Sequence, residues 1–166
     1  MIDVVATTDC MSFNRVDLTR GGTLETFSRV LGPPSESYGA SGSVYTRDNQ
    51  LHMYHSEGLY LVEHHATYLI TYVGIVLEPE HAHFETKIPF SGSMNIAGVN
   101  IVRGMRDIDF VEQANTSFER HLGCVWFAKG PIIIDIVTYP LRTRSGAKSR
   151  KRAISQVCLT FDYLQI

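Results

Sequence analysis

The stretch MNIAGVNIVRGMRDIDF, residues 94–110, decides how this chain is read, because MSFNRVDLTRGGTLETF at residues 11–27 repeats it at a constant offset of 83 in a chain of 166 residues. Laid together without a gap, the two share Met11/Met94, Val16/Val99, Arg20/Arg103, Gly21/Gly104 and Phe27/Phe110. They substitute alike at Phe13/Ile96, Leu18/Ile101 and Asp17/Asn100. A period near half the chain length points to two copies of one supersecondary unit rather than to a solenoid.

In the first copy, residues 2–6 form a β-branched run. Residues 11–18 then alternate, with a slip between Phe13 and Val16 that predicts two short strands or a hairpin turning at Asn14-Arg15. Arg20-Gly21-Gly22 breaks the strand. Thr23 is a suitable N-cap for Leu24, Phe27, Val30 and Leu31 at helical spacing, and Gly32-Pro33-Pro34 stops that helix. Residues 35–43 read as a Ser- and Gly-rich loop. Strand-like runs follow at 43–46 with 51–55, at 59–63 and at 68–77, joined by hairpin-length separators.

The second copy repeats the order. Strands at 92–96 and 99–102 flank Ala97-Gly98, and Asp107 is an N-cap candidate for a helix whose Ile108, Val111 and Phe118 line one face. Strands at 122–128, 132–139 and 156–163 complete it. The expectation is an α+β fold of two similar halves, residues 1–78 and 90–166. Each is a mainly antiparallel sheet with one short helix in the order strand-strand-helix-strand-strand-strand, about ten strands in all. Residues 79–89 would link halves packed as one unit, with Ile88 and Phe90 stapling the junction.

An apolar share of 44% and a charged share of 19% are those of a globular chain, not a disordered one. Three cysteines, Cys10, Cys124 and Cys158, do not make a disulfide framework and favour a reducing compartment. The first ten residues, MIDVVATTDC, lack the basic start and long apolar run of a signal peptide. The longest largely uncharged run, residues 66–77, falls short of the roughly 20 residues that a membrane helix needs. A cytoplasmic protein with no membrane association, monomeric or homodimeric, is expected.

Net charge is −2, yet Arg142, Arg144, Lys148, Arg150, Lys151 and Arg152 hold six of the 15 basic residues. The rest of the chain has nine basic against 17 acidic residues, or −8. This predicts an acidic body carrying one basic loop, residues 142–152. The loop has the charge to contact a polyanion but no aromatic residue within it, so nucleic acid is the lesser expectation.

His52, His55, His64, His65, His81 and His83 crowd the centre of the sequence, and His81 and His83 would share a strand face, with His64 or Glu85 to complete a zinc shell. No His-Glu-x-x-His or paired-cysteine spacing accompanies them, so neither metal nor cofactor is expected. Cys124 and Cys158 lie in apolar strand runs and no Gly-x-Ser-x-Gly elbow occurs, so no catalytic residue is assigned and a non-enzymatic protein is expected. Arg20-Gly21 and Arg103-Gly104 each precede a helix and are read as structural corners in preference to anion sites. Aromatic residues beside acidic ones on the hairpins suggest a protein-binding surface at Asp48, Tyr54, Glu57, Tyr60 and Glu63.

Residues 89–101, PFSGSMNIAGVNI, together with Leu31-Gly32-Pro33-Pro34 and Gly58-Leu59-Tyr60-Leu61, resemble a family of small bacterial proteins of unassigned activity. In that family a Pro-Phe-x-Gly strand pair precedes a short helix and an upstream half carries Gly-Pro-Pro followed by hairpins. The likeness covers residues 11–139, and such proteins are similar in size and character to immunity proteins of bacterial toxin systems. The resemblance implies a binding protein that neutralises a toxin or effector by occluding its active site.

Overall fold

The slip after Phe13 is a two-residue turn: Asn14 and Arg15 both take positive φ, 50° and 67°, as a tight hairpin between β2 (Met11–Phe13) and β3 (Val16–Asp17) requires. Ala97 and Gly98, at 50° and 84°, do the same between β8 (Ser93–Ile96) and β9 (Val99–Asn100). The computed structural model describes residues 1–39, 49–82, 86–121, 125–142, 146 and 148–163. The other elements are β1 (Asp3–Ala6), α1 (Leu24–Leu31), β4 (Glu36–Tyr38), β5 (Asn49–Tyr54), β6 (Leu59–His64), β7 (Leu69–Val76), a 3-10 turn (Pro79–His81), α2 (Asp107–Gln113), β10 (Glu119–His121), β11 (Val125–Ala128), β12 (Ile132–Arg142) and β13 (Lys148–Phe161).

The chain is α+β, with two short helices and two mostly antiparallel sheets. The smaller sheet runs β3-β2-β1-β8-β9, with β1 parallel to β8. The larger, antiparallel throughout, runs β10-β11-β12-β13-β7-β6-β5-β4. The strands are not divided between halves. β1 pairs with β8 and β7 pairs with β13, so each sheet draws strands from both sides of residues 79–89. The described residues of this segment form a strap: Ala82 packs on Leu51, Met53, Tyr60 and Val76 of the large sheet, and beyond it the Phe90 amide donates to the Val76 carbonyl at 2.7 Å. Phe90 is buried, but Ile88 is 43% exposed and staples nothing.

The core lies between the sheets. Val4, Met11, Phe13, Met94 and Ile96 come from the small sheet; Leu59, Leu61, Val73, Ile75, Ile134, Val157 and Leu159 come from the large one. Phe27 of α1 joins them edge-on, 6.4 Å from Phe13 and 6.2 Å from Phe161. Phe110 of α2 is fully buried and meets Phe118 at 5.1 Å. The second helix is shorter than its periodicity suggested, because the Asn115 amide donates to the Ala97 carbonyl and ties the chain to the hairpin turn. Phe118 therefore packs from beyond the helix and Ile108 is 42% exposed. Arg106, not Asp107, is the N-cap.

Two edge strands carry no apolar alternation. β4 lies in what read as a loop, β10 follows the helix end, and each has only three residues, all exposed. Short charged edges resist pairing with other chains, and their exposure removes the apolar alternation by which strands are recognised. The strand expected at 43–46 lies outside the described residues.

Phe110→Ala and Phe27→Ala should each lower unfolding free energy by about 3–5 kcal/mol, read by denaturant titration. A loss within about 0.5 kcal/mol, typical of surface sites, would contradict these core positions.

Candidate functional site

The hairpin surface expected to bind a partner is largely interior. Tyr54 and Tyr60 are fully buried, Glu63 is 6% exposed, Glu57 is half-buried and Asp48 lies outside the described residues. Tyr60 lies flat on the outer face of the sheet because it sits opposite Gly74, where an added Cβ would fall 2.1 Å from its ring. Its hydroxyl joins Tyr72 and the Gln156 amide, which also donates to the Cys158 sulfur at 2.9 Å. Burial pushes the Tyr60 and Tyr72 hydroxyls up and the Cys158 thiol to about 12. These groups stay neutral and hold one another; they are not reactive.

The basic stretch is not a loop at its ends. Arg142 closes β12 opposite Lys148, the first residue of β13, and Pro140 pairs with Arg152, so Lys148, Arg150, Lys151 and Arg152 are strand residues of a two-stranded ribbon. Arg144 lies outside the described residues. Ribbon geometry follows from length: β7 covers β13 only over Gln156–Thr160, leaving β12 as the neighbouring strand of Lys148–Arg152. Residues 105 and 106 anchor the ribbon's base, through an isolated Arg106–Ala153 bridge and the Ile154 amide donating to the Met105 carbonyl at 2.9 Å.

Beside this ribbon is a cleft of about 240 Å³ in which Arg106, Arg120, Arg150, Lys151 and Arg152 surround Trp126. Trp126 is the chain's single tryptophan. Its indole N–H donates to the buried Asp107 carboxylate at 3.0 Å, and the other Asp107 oxygen accepts from the Ile108 amide at 2.9 Å. The Arg120 guanidinium lies 5.4 Å from the indole ring centre, a cation–π contact. Arg106 is paired with Asp109, whose carboxyl it holds below the usual range. Arg152 is oriented by Thr138, donating to its hydroxyl at 2.7 Å and its carbonyl at 2.6 Å. Arg150 and Lys151 are exposed. The aromatic residue missing from 142–152 is thus supplied by β11. No local spacing announces this, since 24 positions separate Trp126 from Arg150.

A second polar arrangement escaped the sequence entirely. Ser37 of β4 stands directly opposite His52 of β5, with Ser37 Oγ 2.8 Å from His52 Nδ1. His52 Nε2 is 2.9 Å from Glu63 Oε2 on β6. The ring is 2% exposed. Nearby, His55 Nε2 is 3.6 Å from Glu36, which also pairs with Lys87 at 3.3 Å.

Of the remaining histidines, His81 stacks on Tyr139 at 4.3 Å, and His83 and Glu85 lie outside the described residues. Among the described residues no three His, Cys, Asp or Glu side chains are grouped to hold a metal ion. No described helix is long and apolar enough to cross a membrane. Arg103 donates twice to Glu78, at 2.8 and 2.9 Å, and Gly21 and Gly104 take positive φ, as structural corners do. Cys10 is exposed and Cys124 lies outside the described residues.

Comparison with family models and with curated proteins finds no match. Among solved structures, the chain is similar to a cysteine-rich secretory protein from Staphylococcus aureus subsp. aureus Mu50. Identity is 9% and the TM-score 0.44, over 87% of this chain and 45% of that one. The chain therefore spans less than half the length of that protein.

The buried thiol gives a prediction with a definite sign. Its folded pKa of about 12 stands above the ordinary 9.0 because burial penalises the thiolate, so its contribution to stability is complete below pH 9 and is lost as pH rises to 12. Denaturant stability should fall across that window, the buried Tyr60 and Tyr72 hydroxyls acting in the same direction. In the native protein at neutral pH, iodoacetamide should modify Cys10 and spare Cys158, read by peptide mass spectrometry. A Cys158 adduct on folded protein would refute the assignment.

Proposed function

We propose that this chain is an immunity-type binding protein that engages an acidic protein surface through the cleft beside Trp126, with the β12–β13 ribbon as the inserted element. The supporting observation is the gathering of five cationic side chains in one cleft with the sole tryptophan, beside an antiparallel strand pair. Arginine and tryptophan are the side chains that most often anchor protein interfaces, and a ribbon loses little entropy when bound. The resemblance to immunity proteins supports the class of function, and the cleft supports the face.

An acidic protein loop fits better than a nucleic-acid strand. Asp107, Asp109 and Glu112 lie in or beside the cleft, around Arg106, and the chain apart from residues 142–152 carries −8. A compact carboxylate cluster can settle among the cations, whereas a long phosphodiester backbone would run on over acidic surface. The face differs from the acidic hairpins first expected, whose Tyr54, Tyr60 and Glu63 are enclosed.

Trp126 is its own reporter. Titration with a hexaglutamate peptide should change tryptophan fluorescence, and the apparent affinity should fall steeply as salt rises. Arg150→Glu with Lys151→Glu should weaken binding on the order of tenfold, about 1.4 kcal/mol, with circular dichroism unchanged. Glu57→Lys should leave it as it was. If the double reversal has no effect, the cleft is not the binding face; if a 12-nucleotide single strand binds more tightly than the peptide, the partner is a nucleic acid.

A further inference from the structure

Ser37, His52 and Glu63 lie on three successive strands of the large sheet, β4, β5 and β6. Ser37 and His52 are direct cross-strand partners, and Glu63 is two residues from Leu61, the partner of His52 on β6. Directly opposed side chains on neighbouring strands share a face, and diagonal ones remain within reach when long. The result is one hydrogen-bonded row, Ser37 Oγ to His52 Nδ1 at 2.8 Å and His52 Nε2 to Glu63 Oε2 at 2.9 Å.

The partners dictate the protons. A carboxylate only accepts, so in the tautomer with its hydrogen on Nε2 the imidazole donates to Glu63, and the lone pair on Nδ1 receives the Ser37 hydroxyl hydrogen. This is the arrangement that makes serine nucleophilic: hydroxyl held to a base, base held to an orienting carboxylate. Burial follows the same division. His52 and Glu63 are enclosed, at 2% and 6% exposure, which holds the ring in place, while Ser37 belongs to an exposed edge strand.

From this geometry we infer that Ser37 is a nucleophile capable of accepting an acyl group from an activated ester, with His52 as its base and Glu63 as a positioning residue. Oγ attacks the carbonyl carbon and forms the new C–O bond as its proton passes to Nδ1. The bond to the ester's alkoxy oxygen then breaks, and that oxygen takes the proton from Nδ1 and leaves as the alcohol. Acyl-serine and neutral imidazole remain. Water attacking through the same base releases the carboxylic acid and restores the hydroxyl. The inference is independent of the cationic cleft, which shares none of these residues.

The test is treatment of the folded, full-length protein with a fluorophosphonate probe, in which attack by Oγ displaces fluoride, followed by peptide mass spectrometry. A parallel assay follows release of p-nitrophenol from p-nitrophenyl acetate. The expected result is one adduct on Ser37 and a burst of p-nitrophenol, both lost in Ser37→Ala and in protein unfolded by urea, and both retained in Ser56→Ala. His52→Asn should reduce labelling at least a hundredfold. Glu63→Gln should do the same and also remove a downfield imidazole N–H resonance from the proton spectrum, which a merely supportive side chain would leave in place. Should His52→Asn fail to fold, Ser37→Ala and the wild type decide the matter alone, because Ser37 is exposed. No adduct at Ser37 in the folded wild type overturns the inference, as does labelling that survives in folded His52→Asn or in urea.

Discussion

The pairing of β7 with β13 is the interaction on which the rest depends. It joins the last strand before the strap to the last strand of the chain, from Gln156–Val76 to Thr160–Tyr72, and turns two four-stranded meanders into one eight-stranded sheet. Val73, Ile75, Val157 and Leu159 meet the core along this seam. Backbone groups at the centre of a sheet have no access to water, so the seam must be hydrogen-bonded throughout or not form. The excess of β13 over β7 also sets the cationic ribbon apart from the sheet, since 14 residues cannot all be covered by a strand of eight.

The two faces of this sheet carry different chemistry. The core face is apolar except near its β4 edge, where His52 and Glu63 lie beneath Ser37. On the outer face Tyr60, Tyr72, Gln156 and Cys158 form a closed hydrogen-bonded group that keeps tyrosine and thiol protons in place. Residues 77–82 lie against that face, with Ala82 packed on Leu51, Met53, Tyr60 and Val76, and ion pairs join Glu78 to Arg103 and Lys87 to Glu36. Buried polar groups of this kind are stable only when each has a partner, and so they specify one strand register as well as fill space.

Much of the local structure was legible because it depends on neighbours in sequence. The turn at Asn14-Arg15, the turn at Ala97-Gly98, the helix between Thr23 and Gly32, and the core roles of Phe27 and Phe110 follow from side-chain period and backbone sterics alone. The element order hairpin, helix, edge strand and three-stranded meander occurs in residues 11–76 and in residues 93–161. Alternation does not separate inside from outside in this chain. The large sheet is covered on both faces, by the core and by the strap, so Tyr60 and Glu63, on opposite faces, are both enclosed.

Sequence by itself therefore determined the α+β class, the two helices, the tight turns and the concentration of positive charge near the end of the chain, because period, turn chemistry and charge act over a few residues. Tertiary structure alone decided which strands share a sheet, that basic residues form a ribbon beside Trp126, and that Ser37, His52 and Glu63 meet. The physical reason is that strand order and register are set by burial and hydrogen-bond closure between segments far apart in the chain, Glu63 to His52 across 11 residues and Gln156 to Tyr60 across 96. No local pattern records a contact of that kind.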